Sequence, residues 1–378
     1  MASGERALVT PAILRWARRE SRHKIPEVAR HMDKQEEIIE SWENGTAQPT
    51  INQAKKLAKF YKQMFATFFL DEDDTPTETV VNFTDYRTIS GDDDPELSPK
   101  AWSCIREALK QRQIALELAQ EIERPIRKFS FKDSSRTLLV ANSIRASLGI
   151  ETPKNFKTER DAFNYFRGKF EEHDILVFQM KGVEVSELRG VSIFFDEFPI
   201  ILVNSDDAWN GRIFTMFHEL AHLIKHNNSL STLYGNNEVD CNRIAGETLL
   251  PPNTFDVADN WDWTVTSKAT IKAYMARYGV SEETFWRRLL ILDKIDESFY
   301  QTKRAEIHAE FERIKAIPKK KKDGSPTPNV LFVSQYGNIF PKIVLQSYLS
   351  NKITLADTTQ YFRMQPKFIS AMKEVLFK

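Results

Sequence analysis

The sequence predicts an α+β fold that is mostly helical. It has an N-terminal bundle of short helices, a central domain with a small antiparallel sheet, and a small C-terminal module. Three observations predict it. Apolar residues recur at helical spacing over most of the 378 residues. Three short β-branched and aromatic runs cluster between Ile175 and Asn204. Directly after them, the stretch FTMFHELAHLIKH sets two histidines four residues apart in an apolar helical pattern.

From the N-terminus, residues 11–70 carry helical periodicity broken at Lys24-Ile25-Pro26, at Met32-Asp33-Lys34 and at Asn44-Gly45-Thr46, which predicts four or five short helices. Residues 71–98 form an acidic linker, with Asp71–Glu78 and Ser90–Glu96 as its two acidic stretches. Long helices follow at Pro99–Glu123, Ser135–Leu148 and Thr158–Glu171. Strands are expected at Ile175–Met180, Val191–Phe195 and Ile200–Asn204, laid as a small sheet against the histidine helix. Tyr278-Gly279-Val280-Ser281 splits two more helices, and the central domain spans residues 99–316. The lysine-rich run 317–328 reads as a flexible, solvated linker. Residues 329–378 read as a strand followed by helices, with a vaguely helix-turn-helix-like run at Thr354–Met364.

Composition narrows the function classes. Lys+Arg and Asp+Glu balance at 53 each, so no global field draws the chain to nucleic acid and any basic surface is local. Apolar residues make up 41%, enough for two or three real cores. Cys104 and Cys241 are too few for a disulfide framework. No window approaches eighteen uninterrupted apolar residues and no signal-peptide core opens the chain, so the expected location is cytoplasmic.

The chemistry centres on His218-Glu219-Leu220-Ala221-His222. On a helix, positions i and i+4 lie ~40° apart, one turn up, so both imidazoles point at one spot. That spot suits Zn²⁺, and Glu219 falls where it reaches a water on the metal. The bland alternative is a buried amphipathic helix with two satisfied histidines. A third ligand is needed, and a second helix from Glu238 to the Pro251-Pro252 pair offers Glu238, Asp240 and Glu247. Glu238 shares a face with Asn242 and the small Ala245, whereas Asp240 and Glu247 sit about 200° and about 180° round from it. Glu238 is therefore the choice; its bland reading is a first-turn acid favoured by the helix dipole. His226 continues the series but has drifted ~80° from His218, and reads as an outer or surface histidine.

HELAHLIKH followed by E-x-x-C-N-x-I-A-G-x-x-L-L-P resembles the ImmA/IrrE family of zinc metallopeptidases, which typically shows HExxH and then E-x-x-A-N-x-F-A-A-x-L-L-M-P. The preceding FPIILVNSDDAWNGRIFTMFHELAH is also similar to that family. The resemblance implies a zincin-like domain, with His218, His222 and Glu238 as Zn²⁺ ligands and Glu219 as general base. Cys241, Ile244, Gly246, Thr248 and Leu250 depart from the family pattern; all alter helix packing and none is a ligand. Upstream, W-E-N-G-x-x-x-P-T from Trp42 to Thr50 resembles an Xre-type helix-turn-helix over residues 1–70. Its second helix would be about Ile25–Met32 and its recognition helix about Lys34–Asn44, with Lys34, Gln35 and Ser41 as DNA-contact candidates.

Residues 1–70 hold twelve Lys and Arg against eight acids, a mild support for a phosphate-facing surface. Glu36 and Glu37 argue the other way, since carboxylates repel phosphate. A protein-docking or dimerising bundle is the alternative. Two functions follow from the resemblance. One is a zinc endopeptidase that cleaves a regulatory protein, a repressor or toxin–antitoxin partner, with the helix-turn-helix docking DNA or a partner. The other is a non-proteolytic antitoxin or repressor whose peptidase-like domain only binds; the intact HExxH favours the first. A substrate in extended form could pair with the Gly190–Phe195 strand, and Tyr274 or Arg277 are guesses for the oxyanion donor.

Overall fold

The computed structural model describes residues 5–77, 79, 97–150, 152, 154–226, 237–255, 262–315 and 326–376. The chain forms two compact units, one of the described residues up to 79 with those from 97 to 107, the other of those from 108 to 376. Residues 80–96 of the acidic linker and most of the lysine-rich linker, 317–325, lie outside the described residues.

In the first unit, helices α1 (Pro11–Glu20), α2 (Ile25–Met32), α3 (Glu36–Glu43) and α4 (Ile51–Tyr61) precede a 3-10 turn at Phe65–Phe69. Local chemistry sets their ends. Pro11 opens α1 with its φ already helical. Asp33 (φ 53°) closes α2 in the left-handed region. Thr50 and Gln53 make a reciprocal capping box on α4. Between α3 and α4 the chain turns at Gly45, whose φ of 82° favours glycine. Ile13, Leu14, Val28, Ile39, Trp42, Leu57, Tyr61 and Phe68 form the core. The expected second helix matches α2, and α3 starts two residues later and ends one residue earlier than the recognition helix expected at about Lys34–Asn44.

α5 (Pro99–Glu121) contributes its residues from Ala108 to the second unit. There follow α6 (Thr137–Leu148), ended by Gly149 at φ 60°, and α7 (Glu159–Glu171), capped by Thr158 and Asp161. Strands β1 (Leu176–Met180), β2 (Gly190–Ile193) and β3 (Ile200–Asn204) make a sheet in the order β1-β3-β2. The expected antiparallel sheet is mixed: β1 pairs parallel with β3, Leu176 opposite Ile200, and only β2 pairs antiparallel, Gly190 opposite Val203. The reason is burial. Every residue of the three strands is buried, and strands covered on both faces read as continuous apolar runs, the pattern parallel pairs favour. Segment 181–199, with β2 inside it, supplies the crossover that a parallel pair needs.

α8 (Trp209–His226) packs on β2, β3 and α7, and α9 (Asn237–Leu249) packs on α8 and α6. α10 (Lys268–Tyr278) and α11 (Glu282–Ile291) are divided by Gly279 (φ 67°) as expected; a further break at Leu292 precedes α12 (Glu297–Lys315), which the sequence reading had merged with its neighbour. The strand expected after residue 328 is instead α13 (Pro328–Tyr336), followed by α14 (Ile339–Leu349), α15 (Leu355–Phe362) and α16 (Lys367–Leu376). Pro328 at its start and Gly337 at its end bracket one short helix, and Asn329, Phe332 and Tyr336 are buried at helical spacing.

Buried polar groups hold α13 to the sheet. The fully desolvated Arg167 guanidinium donates to the carbonyls of Val333 and Ser334, at 3.3 and 2.7 Å, and to that of Val177 on β1. Glu171 accepts from the Asn338 backbone N–H at 2.8 Å and from its side-chain amide at 2.7 Å. Residues 326–376 thus share one compact unit with the sheet.

Candidate metal centre

α8 is apolar enough to be buried on all sides from Thr215 to Lys225. His218 and His222 are 1% and 2% exposed, and their Nε2 atoms lie 2.9 Å apart. α9 brings a carboxylate to the same point: Glu238 Oε1 is 3.1 Å from His222 Nε2, and Oε2 is 3.5 Å from His218 Nε2. One donor atom from each residue lies within 4.8 Å of the others.

These donors fit Zn²⁺ in kind, two imidazoles and a carboxylate. They also fit in spacing. Ligands at about 2.05 Å in tetrahedral geometry stand about 3.3 Å apart, and the three separations bracket that value. Asp240 is directed elsewhere, 3.6 Å from Lys225 Nζ, and Glu247 is buried against Arg243 and Arg288, at 3.2 and 3.5 Å. The two rival carboxylates therefore occupy other ion pairs. The side chain of His226 lies outside the described residues.

The electrostatics of the metal-free protein follow from this crowding. Burial opposes ionisation of Glu238, but hydrogen bonds with His218 and His222 outweigh it and hold the carboxyl well below the usual range. Burial likewise opposes a charged His222, but the Cys241 thiol and the Glu238 carboxylate outweigh it and raise the imidazole well above its ordinary value. Burial pushes the Cys241 thiol up.

Cys241 is the neighbour that sequence reasoning treated only as packing. Its Sγ lies 3.5 Å from His222 Nδ1, on the side of the ring away from Glu238. The signal was present: Cys241 is three residues after Glu238 and so shares its helix face. On the other histidine, the Phe214 ring stacks at 6.5 Å and 25°.

Glu219, beside His218 on α8, is 4% exposed and sits against Gly190 of β2. All four β2 residues are buried, and β2 is an end strand of the sheet that pairs, among the described residues, with β3 alone. Tyr274 lies in an aromatic cluster with Phe255, Trp263 and Phe285, and Arg277 stacks over Tyr278. Among the described residues, neither hydrogen-bonds or ion-pairs with the His218–His222–Glu238 group.

In the first unit, Lys34 and Gln35 are exposed at the start of α3, and Ser41 is half-buried with its Oγ donating to the Ile38 carbonyl at 2.7 Å. The exposed side of α3 also carries Glu36, Glu37 and Glu40. Several of the basic residues counted above serve the fold itself. Arg15 and Arg18 bond to Glu43, Arg6 to the Gln48 carbonyl and Lys56 to the His31 carbonyl.

Among the described residues, no helix is long and apolar enough to cross a membrane. Comparison with the curated proteins and with the solved structures returns no match. Residues 170–290, about a third of the chain, match the model of the IrrE N-terminal-like domain; α8, α9 and the sheet fall inside that range, and the first unit falls outside it. The domain that brings His218, His222 and Glu238 together is therefore an IrrE N-terminal-like domain, which supports the ImmA/IrrE family and a metallopeptidase-like function.

Proposed function

We propose that this chain is a zinc-dependent endopeptidase that cleaves a regulatory protein, a repressor or toxin–antitoxin partner, while its N-terminal unit docks DNA or a partner protein. The observation that carries the reading is the meeting of two buried imidazole nitrogens and a carboxylate within 4.8 Å, inside a domain of a metallopeptidase family. When bound there, zinc supplies Lewis acidity toward a peptide carbonyl and makes a water acidic enough to attack it near neutral pH.

The rest falls to the chain's own groups. His218 and His222 present Nε2 lone pairs from one face of a rigid, buried helix, and Glu238 adds one negative charge from α9. Glu219 supplies the carboxylate that takes the proton of the attacking water and returns it to the leaving amine nitrogen. Its burial keeps that carboxylate out of bulk water, which would otherwise screen its charge. The Cys241 thiol lies at His222 Nδ1, where an outer partner orients the ring.

For the N-terminal unit, the helix-turn-helix reading rests on the succession α2, turn, α3 and on the exposure of Lys34 and Gln35. Ser41 contributes only acceptor capacity, since its proton is given to the Ile38 carbonyl.

The test has two steps. Metal analysis of the purified chain is expected to find about one zinc per chain. Co-expression with the product of the neighbouring gene is then expected to yield a cleaved partner with the wild type and an intact one with Glu219→Gln. A chain that binds no zinc, or cleavage that survives Glu219→Gln, overturns the reading.

A further inference from the structure

We propose that Gly190 is a positioning residue for Glu219: by having no side chain it leaves the space on β2 that the Glu219 carboxylate occupies. The inference rests on the reading of Glu219 as the proton acceptor. A Cβ built at Gly190 would stand 2.9 Å from Glu219 Oε1 and 3.2 Å from Glu219 Cγ, and closer still to Thr215 Cγ2. Thr215 and Glu219 are four apart on α8, so they bracket Gly190 from successive turns.

The need is for space rather than for an unusual backbone. Gly190 is not among the glycines with positive φ, and its strand pairing is regular. Glycine inside a strand weakens it, and marks a close approach where something must pass. Here that something is the one carboxylate the proposed chemistry depends on. It lies 4% exposed with the strand as one wall, one residue along from His218.

The two contacts differ in kind. Thr215 Cγ2 belongs to a β-branched side chain with a stiff χ1, so a methyl at 190 would strain the seat of α8 on β2. Glu219 Oε1 is the end of a flexible side chain, and would turn away instead. Removing the Thr215 methyl separates the effects. In Gly190→Ala with Thr215→Ser, the helix keeps its place and only the carboxylate is displaced.

The experiment loads Co²⁺ in place of zinc and records the visible absorption of five proteins: wild type, Glu219→Gln, Thr215→Ser, Gly190→Ala, and the Gly190→Ala Thr215→Ser pair. Cobalt bands report what surrounds the metal, without a substrate. Thr215→Ser is expected to match wild type. Glu219→Gln is expected to shift the bands while keeping one equivalent of cobalt, and the double variant to shift them in the same sense with the metal and thermal transition retained. Gly190→Ala alone is expected to show the shift together with a lowered thermal transition, which Thr215→Ser restores.

A double variant with the wild-type spectrum, when Glu219→Gln is shifted, overturns the proposal. So does a Glu219→Gln spectrum that does not move, because the carboxylate then does not act on the metal's surroundings. A double variant with no thermal transition overturns it as well, since the methyl removal was to spare the fold. Wild-type protein that binds no cobalt or zinc is a different result: it removes the metallopeptidase reading itself and this inference with it.

Discussion

Helices α3 and α8 treat their polar side chains in opposite ways. On α3, Glu36, Glu37 and Glu40 stand exposed, and water solvates them at little cost. On α8, His218, Glu219, His222 and Lys225 are 1, 4, 2 and 7% exposed. An unpaired polar group taken out of water costs about 1–3 kcal/mol by mutational measures, and a charge more. A fold keeps four such groups within two turns only where partners meet them. Glu238 meets the histidines and Asp240 meets Lys225, while Glu219 stands against Gly190 of β2. The comparison teaches that a buried polar cluster constrains function tightly, whereas an exposed acidic face is compatible with many partners.

The largest effect that would break this contrast is metal loss. His218→Ala or His222→Ala is expected to take zinc from about one equivalent per chain to none by metal analysis. Glu238→Ala should weaken zinc by more than the roughly 10–100-fold that an outer-shell change produces, in a competition titration with a chromophoric chelator. Glu247→Ala is the counter-case on the same helix. It should keep stoichiometric zinc yet lower stability by about 3–5 kcal/mol in urea unfolding, because Arg288 would be left buried without its carboxylate. If Glu247→Ala loses zinc while Glu238→Ala keeps it, the ligand assignment fails.

Next in size is the pH response of the metal-free protein. His222 is raised in the folded state, so its contribution is full below an unfolded value of about 6.5 and is lost as pH rises through the folded value. Glu238 is lowered, so its contribution is present above an unfolded value of about 4.3 and is lost as pH falls through the folded value. Thermal melts with chelator present should therefore stand higher at about pH 5.5 than at about pH 8.5. Zinc binds deprotonated ligands, so its added stabilisation should grow in the opposite direction. An apoprotein that melts higher at the alkaline pH would show that the three side chains do not meet in solution.

Smaller effects sharpen the comparison from either side. Cys241→Ala should change zinc affinity by about 10-fold, as expected for a group that touches only the far side of a ligand ring. On α3, Lys34→Ala should weaken DNA binding evenly across sequences and reduce the salt slope by about 1, measured by fluorescence anisotropy over a salt series. Unchanged DNA binding and slope would remove Lys34 from the DNA surface and favour protein docking by this unit.

Much of the site was legible because its geometry is local. The i, i+4 spacing of His218 and His222 puts both rings on one side of a helix whatever lies around it. Helix periodicity on α9 put Glu238 on a different face from Asp240 and Glu247 without saying which face meets α8, and the boundaries of α2, α6 and α7 followed from Pro26, Gly149 and Thr158. The sheet was less legible. Runs such as Ile200–Asn204 are apolar throughout, and a strand buried on both faces has no alternation to say which neighbour it pairs with or in which direction. The segment after Pro328 was misread because NVLFVSQY is rich in strand-favouring side chains. Its docking on β1, through Arg167 and Gln179, selects the helix instead.

By itself, then, the sequence determined the donor types, their helical spacing and the breaks between elements, because caps, prolines and a 3.6-residue period act within a few residues of one another. Only the tertiary structure decided which carboxylate stands opposite the histidines, that a thiol backs His222, that β3 lies between β1 and β2, and that Gly190 faces Glu219. Each of these joins residues 16 to 29 positions apart along the chain, or strands separated by a crossover. Such meetings are set by how buried surfaces pack and not by any local preference of the residues that meet.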